Sequence, residues 1–219
     1  MTDETENVNV SGGMLAQKEA KVVAAAQQVF LRYGYRRATM GDIAEAAGIS
    51  RPALYLVFPS KEEIFIAALT KLLADSLDEI RAGLRHFATL REKLTFAFDV
   101  WYVRPFELTQ TQPDAKDLLE TSYEFGAAAM ATATEEFVGV LVQILEPVVE
   151  RQPTVDLSAV QIARILAGAV PGFKNSSNTA ADMRTSIAGL LTLVLTGIGA
   201  GYLLNQSQGG IRGRDAIGS

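Results

Sequence analysis

The chain has no cysteine and a single histidine in 219 residues. Without cysteine, disulfides, thiolate metal sites and a cysteine nucleophile are all excluded. With His86 alone, a metal site would have to rest on carboxylates, and no acidic cluster has ligand spacing. A serine triad could draw only on His86. That residue falls near the end of a long helical pattern, where a lone histidine suits the helix dipole better than catalysis. No Walker sequence and no GxGxxG occurs, since Gly12-Gly13 and Gly209-Gly210 are tail glycines. No strand pattern and no internal repeat is visible. The expectation is an all-α protein that is not an enzyme, with no catalytic residues, no metal and no cofactor.

Apolar residues make up 48 % and charged residues 21 %, ordinary for a globular protein. Residues 1–15 are acidic and polar, lack the basic-then-apolar order of a signal peptide, and read as a disordered leader. The net charge of −5 argues at first against nucleic acid. Its distribution does not. Between Arg32 and Lys61 five basic residues face two acidic ones, a local +3 that leaves −8 for the rest of the chain. Screening confines charge effects to about 8–10 Å, so a basic head on an acidic body still attracts phosphate. A solvated mixed-charge surface is the alternative.

The organising stretch is Thr39 to Lys61, TMGDIAEAAGISRPALYLVFPSK. Thr39 can cap a short helix, with Asp42 completing an acidic capping box. Gly48 stops that helix in the left-handed conformation. Ser50 caps a second helix, Arg51 to Phe58, with Pro52 in its first turn and Leu54, Val57 and Phe58 as its buried side. Ser60 and Glu63 open a third. Ala44 lies four residues before Gly48, Leu54 six after it and Val57 nine after. A helix-turn-helix needs that set: a small residue at the crossing, a glycine at the turn, apolar anchors beyond. An ordinary helical hairpin is the alternative on spacing alone.

The stretch, with Phe30 and Gly34-Tyr35 before it, resembles the DNA-binding domain of the TetR family of transcriptional regulators over roughly Ala20 to Leu69. Matching features are Phe30, Gly34, Thr39, Ile43-Ala44, Ala47-Gly48-Ile49-Ser50, Leu54-Tyr55, Phe58 and Ser60-Lys61-Glu62. Val57 departs from the family, which often has histidine or tyrosine there, and puts a backbone or groove contact in doubt. The resemblance implies a two-fold dimer whose second motif helix enters the major groove. Arg51 suits bidentate contact with guanine, and Pro52 and Ala53 could meet thymine methyls. By resemblance Tyr55 holds a phosphate. Thr39, Ser50, Arg36, Arg37 and Lys61 complete the candidate DNA contacts. A solvated loop is an equal alternative for Arg36 and Arg37.

The expected division is a DNA-binding domain over 16–62, a ligand-binding and dimerisation body over 63–205, and a flexible tail over 206–219. Nine or ten helices are expected. Helix 1 runs from about Gln17 to Tyr33, buried along Val22, Ala26, Val29, Phe30 and Tyr33. A connecting helix runs from Lys61 to about Arg85, with Ala82-Gly83 as a weak point. A helix opened by Thr89 and Glu92 ends near Pro105, and a short one follows around Phe106 to Gln110. An alanine-rich region from Ala115 to Val149 splits near Gly126 or Gly139. The last two helices span Leu157 to Val170 and Ala181 to Leu204, joined by a polar turn from Pro171 to Asn178.

Residues 187–204 carry no charge, long enough for a membrane span. Four glycines, two threonines and the lack of a basic or aromatic flank argue instead for a buried interface. Gly197 and Gly201, four apart, permit close helix approach. The resemblance likewise implies a four-helix dimer interface, here with Ile162, Leu166, Leu190, Leu193, Val194, Gly197 and Gly201. It also implies a pocket for a small, mostly apolar effector. The aromatic candidates are Phe98, Trp101, Tyr102, Phe106, Tyr123 and Phe125, for which plain core packing is the alternative. Arg104 could meet an acidic ligand group or equally pair with a glutamate. The expectation is a cytoplasmic homodimeric repressor of a palindromic operator. A helical ligand-binding or scaffold dimer with an inactive head is the second reading, and a membrane-anchored protein a distant third.

Overall fold

Helices account for all the regular structure of the computed structural model, which describes residues 4–151 and 156–199. They are α1 (Glu4–Arg37), α2 (Met40–Ala46), α3 (Arg51–Tyr55), α4 (Lys61–Gly83), α5 (Leu90–Phe98), α6 (Arg104–Thr111), α7 (Pro113–Phe125), α8 (Ala127–Val149), α9 (Ala159–Ser176) and α10 (Ala180–Gly197). A 3-10 turn, Leu84–His86, follows α4, and a π turn, Asp99–Val103, joins α5 to α6. The expected all-α class is the observed one.

The chain divides into two compact units that interleave in sequence. The first holds residues 1–79 and 105–135, the second residues 80–104 and 136–219. In the first unit, α1 begins at Glu4 rather than near Gln17, where a disordered leader was expected. No proline precedes Pro52 to interrupt it. Gly34 breaks the helix with φ 74°, ψ 170°, backbone that favours glycine. Val22, Ala26, Val29 and Phe30 are buried as their spacing requires, but Tyr33 is 39 % exposed. They join Ile43, Ala44, Leu54, Ile64, Phe65, Ala68 and Leu69 in one core. Tyr35 packs its ring against Phe30, Phe65 and Phe125 at centroid distances of 5.8, 5.1 and 5.7 Å. The split in the alanine-rich region falls at Gly126, which caps α7, and not at Gly139. A Cβ on Gly126 would lie 2.2 Å from Leu69 Cδ2 and 2.9 Å from the Ser122 carbonyl, so a larger residue there would force its neighbours to shift.

The second unit is built on capping boxes at Thr89/Glu92, Ser158/Gln161 and Thr179/Asp182. Its core gathers Leu94, Phe98, Trp101, Phe137, Leu141, Leu145, Leu166 and Leu191. Trp101 stacks on Phe137 at 4.9 Å, and Phe98 meets the same ring edge-on at 5.6 Å. Two prolines behave differently from expectation. Pro105 does not end a helix. The π turn before it, closed by the Arg104 N–H on the Asp99 carbonyl, carries the chain from α5 into α6. Pro171 does not start a loop either, because α9 runs through it to Ser176. A helical proline leaves the carbonyl four residues back without a donor. Here that carbonyl belongs to Ala167, and the Tyr102 hydroxyl donates to it at 3.0 Å.

Helix α4 ends at Gly83, where a Cβ would lie 2.3 Å from a Phe96 ring carbon. Helix α10 stops at Gly197 instead of reaching Leu204, with Gly199 turned to φ 74° just beyond, the usual stop of a helix C-terminus. Gly201, the remainder of the uncharged run and the 206–219 tail lie outside the described residues. Among those residues one helix, α8, is long and apolar enough to cross a membrane by length and composition alone. Its Phe137, Leu141 and Leu145 are fully buried in the second unit.

Candidate nucleic-acid interface

The motif is assembled by caps that the sequence announces. Thr39 takes extended backbone, accepts from the Asp42 N–H at 3.2 Å and donates its own N–H to Asp42 Oδ2 at 2.9 Å. The Thr39 hydroxyl also donates to that carboxylate oxygen at 2.7 Å. These bonds stabilise the charged form and hold the Asp42 carboxyl below its ordinary range. At the other end of α2, Gly48 has φ 63°. Its N–H bonds the Glu45 carbonyl at 2.9 Å and the Ile49 N–H bonds the Ala44 carbonyl at 3.0 Å. That pair of bonds is a Schellman motif and fixes the direction in which the chain leaves. Ser50 then caps α3, its hydroxyl accepting from the Ala53 N–H at 3.3 Å.

Leu54 is fully buried and anchors α3, with Ala44 3 % exposed. Val57 and Phe58, expected on its buried side, are half-buried in the turn after it. The helix closes at Tyr55 rather than Phe58, and Pro59 disfavours helical backbone at Phe58, the residue before it. On the outer face Arg51 and Tyr55 lie one turn apart, the guanidinium 5.8 Å from the Tyr55 ring centroid. Pro52 is exposed and Ala53 half-buried. Leu56, not among the sequence candidates, is 86 % exposed on the same turn.

Three candidate phosphate contacts are otherwise engaged. The Lys61 ammonium donates to the carbonyls of Tyr35 and Ala38 at 2.8 and 2.9 Å and sits 4.3 Å from the Tyr35 ring centroid. Burial pushes its pKa down. Arg36 pairs with Asp117 at 3.2 Å and Glu120 at 3.7 Å. Arg37 donates from Nε to the Tyr33 carbonyl at 2.9 Å.

The other candidates separate between the units. Phe98, Trp101 and Tyr102 surround Phe137 in the second unit. Phe106, Phe125 and the 63 % exposed Tyr123 belong to the first. Arg104 pairs with Asp99 at 3.1 Å, and Arg184 reaches the same carboxylate at 2.8 Å. Of the interface candidates, Ile162 and Leu166 point into the second unit's own core, 2 % and 0 % exposed. Leu193 is 74 % exposed, Leu190 and Val194 are half-buried, and Gly197 is exposed. Among the described residues no group of three or more histidine and acidic side chains could hold a metal.

The geometry defines a helix-turn-helix head in an all-α protein. Residues 22–68 match the model of bacterial regulatory proteins of the tetR family. The HTH-type transcriptional activator FasR of Mycolicibacterium smegmatis is 33 % identical over 86 residues, 39 % of each chain. The match thus spans about two fifths of that relative's length. Similar folds include a TetR/AcrR-family regulator from Thermobifida fusca, 19 % identical with a TM-score of 0.57 over 80 % of this chain and 96 % of that one. Another is FadR from Bacillus subtilis, crystallised with stearoyl-CoA, 17 % identical with a TM-score of 0.51 over 78 % and 96 %.

Proposed function

We propose that the protein is a homodimeric, sequence-specific DNA-binding transcriptional regulator of the cytoplasm. The observation that carries the reading is the α3 surface: a capped, Schellman-turned helix presenting Arg51, Tyr55 and Leu56 outward over a buried Leu54. Arg51 reads a guanine in the major groove, Pro52 and Ala53 meet thymine methyls, and Tyr55 holds a phosphate. A second copy docks on α9 and α10. Val160, Ile165 and Leu193 are exposed apolar residues there, and a Cβ at Gly168 or Gly189 would meet nothing within 4 Å, leaving room for a close helix. Repression is the direction the family resemblance supports, although FasR is named an activator; a promoter-reporter assay decides between them. The effector is small and mostly apolar. The aromatic cluster around Phe137 and the stearoyl-CoA bound by the B. subtilis fold relative support that class.

Selection from random duplexes at about 150 mM salt tests the reading. A pseudo-palindrome should emerge. Arg51→Ala should then cost about 1–3 kcal/mol and relax one base position in each half-site. Recovery of no preferred sequence would leave a helical ligand-binding or scaffold dimer in its place.

A further inference from the structure

The turn between α1 and α2 is held by groups that DNA binding does not itself employ. After Gly34 the chain runs through four residues to the Thr39 cap, so this turn sets where α2 begins. The main-chain N–H of Arg36 donates to Asp117 Oδ2 of α7 at 3.0 Å. The Arg36 Nε lies 3.2 Å from the other oxygen of that carboxylate, and Glu120 stands 3.7 Å from Nη2. The Asp117 side chain is 18 % exposed and that of Arg36 74 %, so the carboxylate is the fixed member of the pair. Its charge also acts on the Lys61 ammonium, which bonds the carbonyls of Tyr35 and Ala38 on either side of the Arg36-Arg37 pair. Helix α7 itself cannot slide freely, because Gly126 at its end is pressed against Leu69 and Phe125 against Tyr35.

We propose that Asp117 is a positioning residue for DNA binding. It fixes the α1–α2 turn through the Arg36 main chain. The directional part is the charge-assisted bond to the main-chain N–H. The solvated guanidinium contributes little to the stability of the fold. The inference rests on DNA binding by the head.

The test uses the full chain, the duplex selected by the parent protein, and the variants Asp117→Ala and Asp117→Asn. Two quantities are read: hydrogen exchange at the Arg36 amide, and duplex affinity against salt. Asp117→Ala should speed exchange at Arg36 and weaken binding about three- to tenfold. The salt slope should stay at the parent's value, because no phosphate contact is removed. Asp117→Asn, whose side-chain carbonyl can still accept the main-chain bond, should restore both to within about twofold of the parent. If the alanine variant does not fold, Asp117→Ser, too short to reach, takes its place. Parent-like affinity in the alanine or serine variant would overturn the proposal. So would an asparagine variant as weak as alanine, or a loss explained by a shallower salt slope. A parent that selects no duplex overturns the DNA-binding reading together with this one. A parent that binds while the Asp117 variants change nothing overturns this one alone.

Discussion

Removing the Tyr102 hydroxyl should expose how α9 tolerates Pro171. The Ala167 carbonyl belongs to a residue 6 % exposed and receives the Tyr102 hydroxyl at 3.0 Å, in the place of the N–H that proline lacks. Tyr102→Phe preserves the ring against Phe137 and leaves that carbonyl without this donor. A buried acceptor left unsatisfied costs about 1–3 kcal/mol, and the half-buried position of Tyr102 favours the lower part, about 1–2 kcal/mol. The revealing experiment is a double-mutant cycle with Pro171→Ala. Alanine restores an N–H four residues after Ala167, so the helix can satisfy its own carbonyl. In that background Tyr102→Phe should cost less than about 0.5 kcal/mol, a coupling of about 1 kcal/mol. Urea unfolding followed by the emission of Trp101, which stacks on Phe137 beside Tyr102, reads the second unit directly. Equal costs in the two backgrounds would refute the reasoning, since the hydroxyl would then be serving something other than the orphaned carbonyl.

Two glycines of the alanine-rich region should respond oppositely to alanine. Gly126→Ala drives a Cβ into Leu69 and the Ser122 carbonyl and should destabilise by about 1–3 kcal/mol, whereas Gly139→Ala, with nothing within 4 Å, should stabilise by about 0.5–1 kcal/mol; thermal unfolding midpoints check both. The helix caps predict an acid limit. Thr39 holds Asp42 below its ordinary 3.8, and Thr89 holds Glu92 below its ordinary 4.5. Both groups bind protons less readily when folded. Their contribution is therefore complete above the ordinary values, declines as pH falls below them, and is gone once pH passes the folded pKa. Asp42→Asn should flatten that part of a stability-against-pH curve, and an unchanged curve would remove the cap from the explanation.

The head was legible because its signals are short-range. Thr39, Gly48, Ser50 and Leu54 act on partners within about a turn or two, and each does in space what its spacing announces. The charged residues were harder. Lys61 and Arg36 read as solvated cations available to phosphate, but Lys61 bonds carbonyls 26 and 23 residues away and Arg36 a carboxylate 81 residues away. No local pattern carries that information. The prolines misled for a related reason. The rule that proline ends a helix holds when the freed carbonyl has no other donor. At Pro171 the donor arrives from Tyr102, 65 residues from the carbonyl it serves. The resemblance offered Ile162 and Leu166 to a dimer interface, and no local pattern says that they lie in the chain's own core, 2 % and 0 % exposed.

The interleaving of the two units bears on how such proteins can recombine. A natural cut after residue 79 would lift out the whole motif, yet it would leave behind residues 105–135, which complete the same unit. The grafted piece would arrive with the Tyr35 ring uncovered where Phe125 lay and with the Arg36 amide unpaired. Exchange of heads among relatives is thus a two-segment operation in this architecture. A head and its α7 should be inherited together, and a chimera assembled from residues 1–79 alone should be sticky as well as unstable.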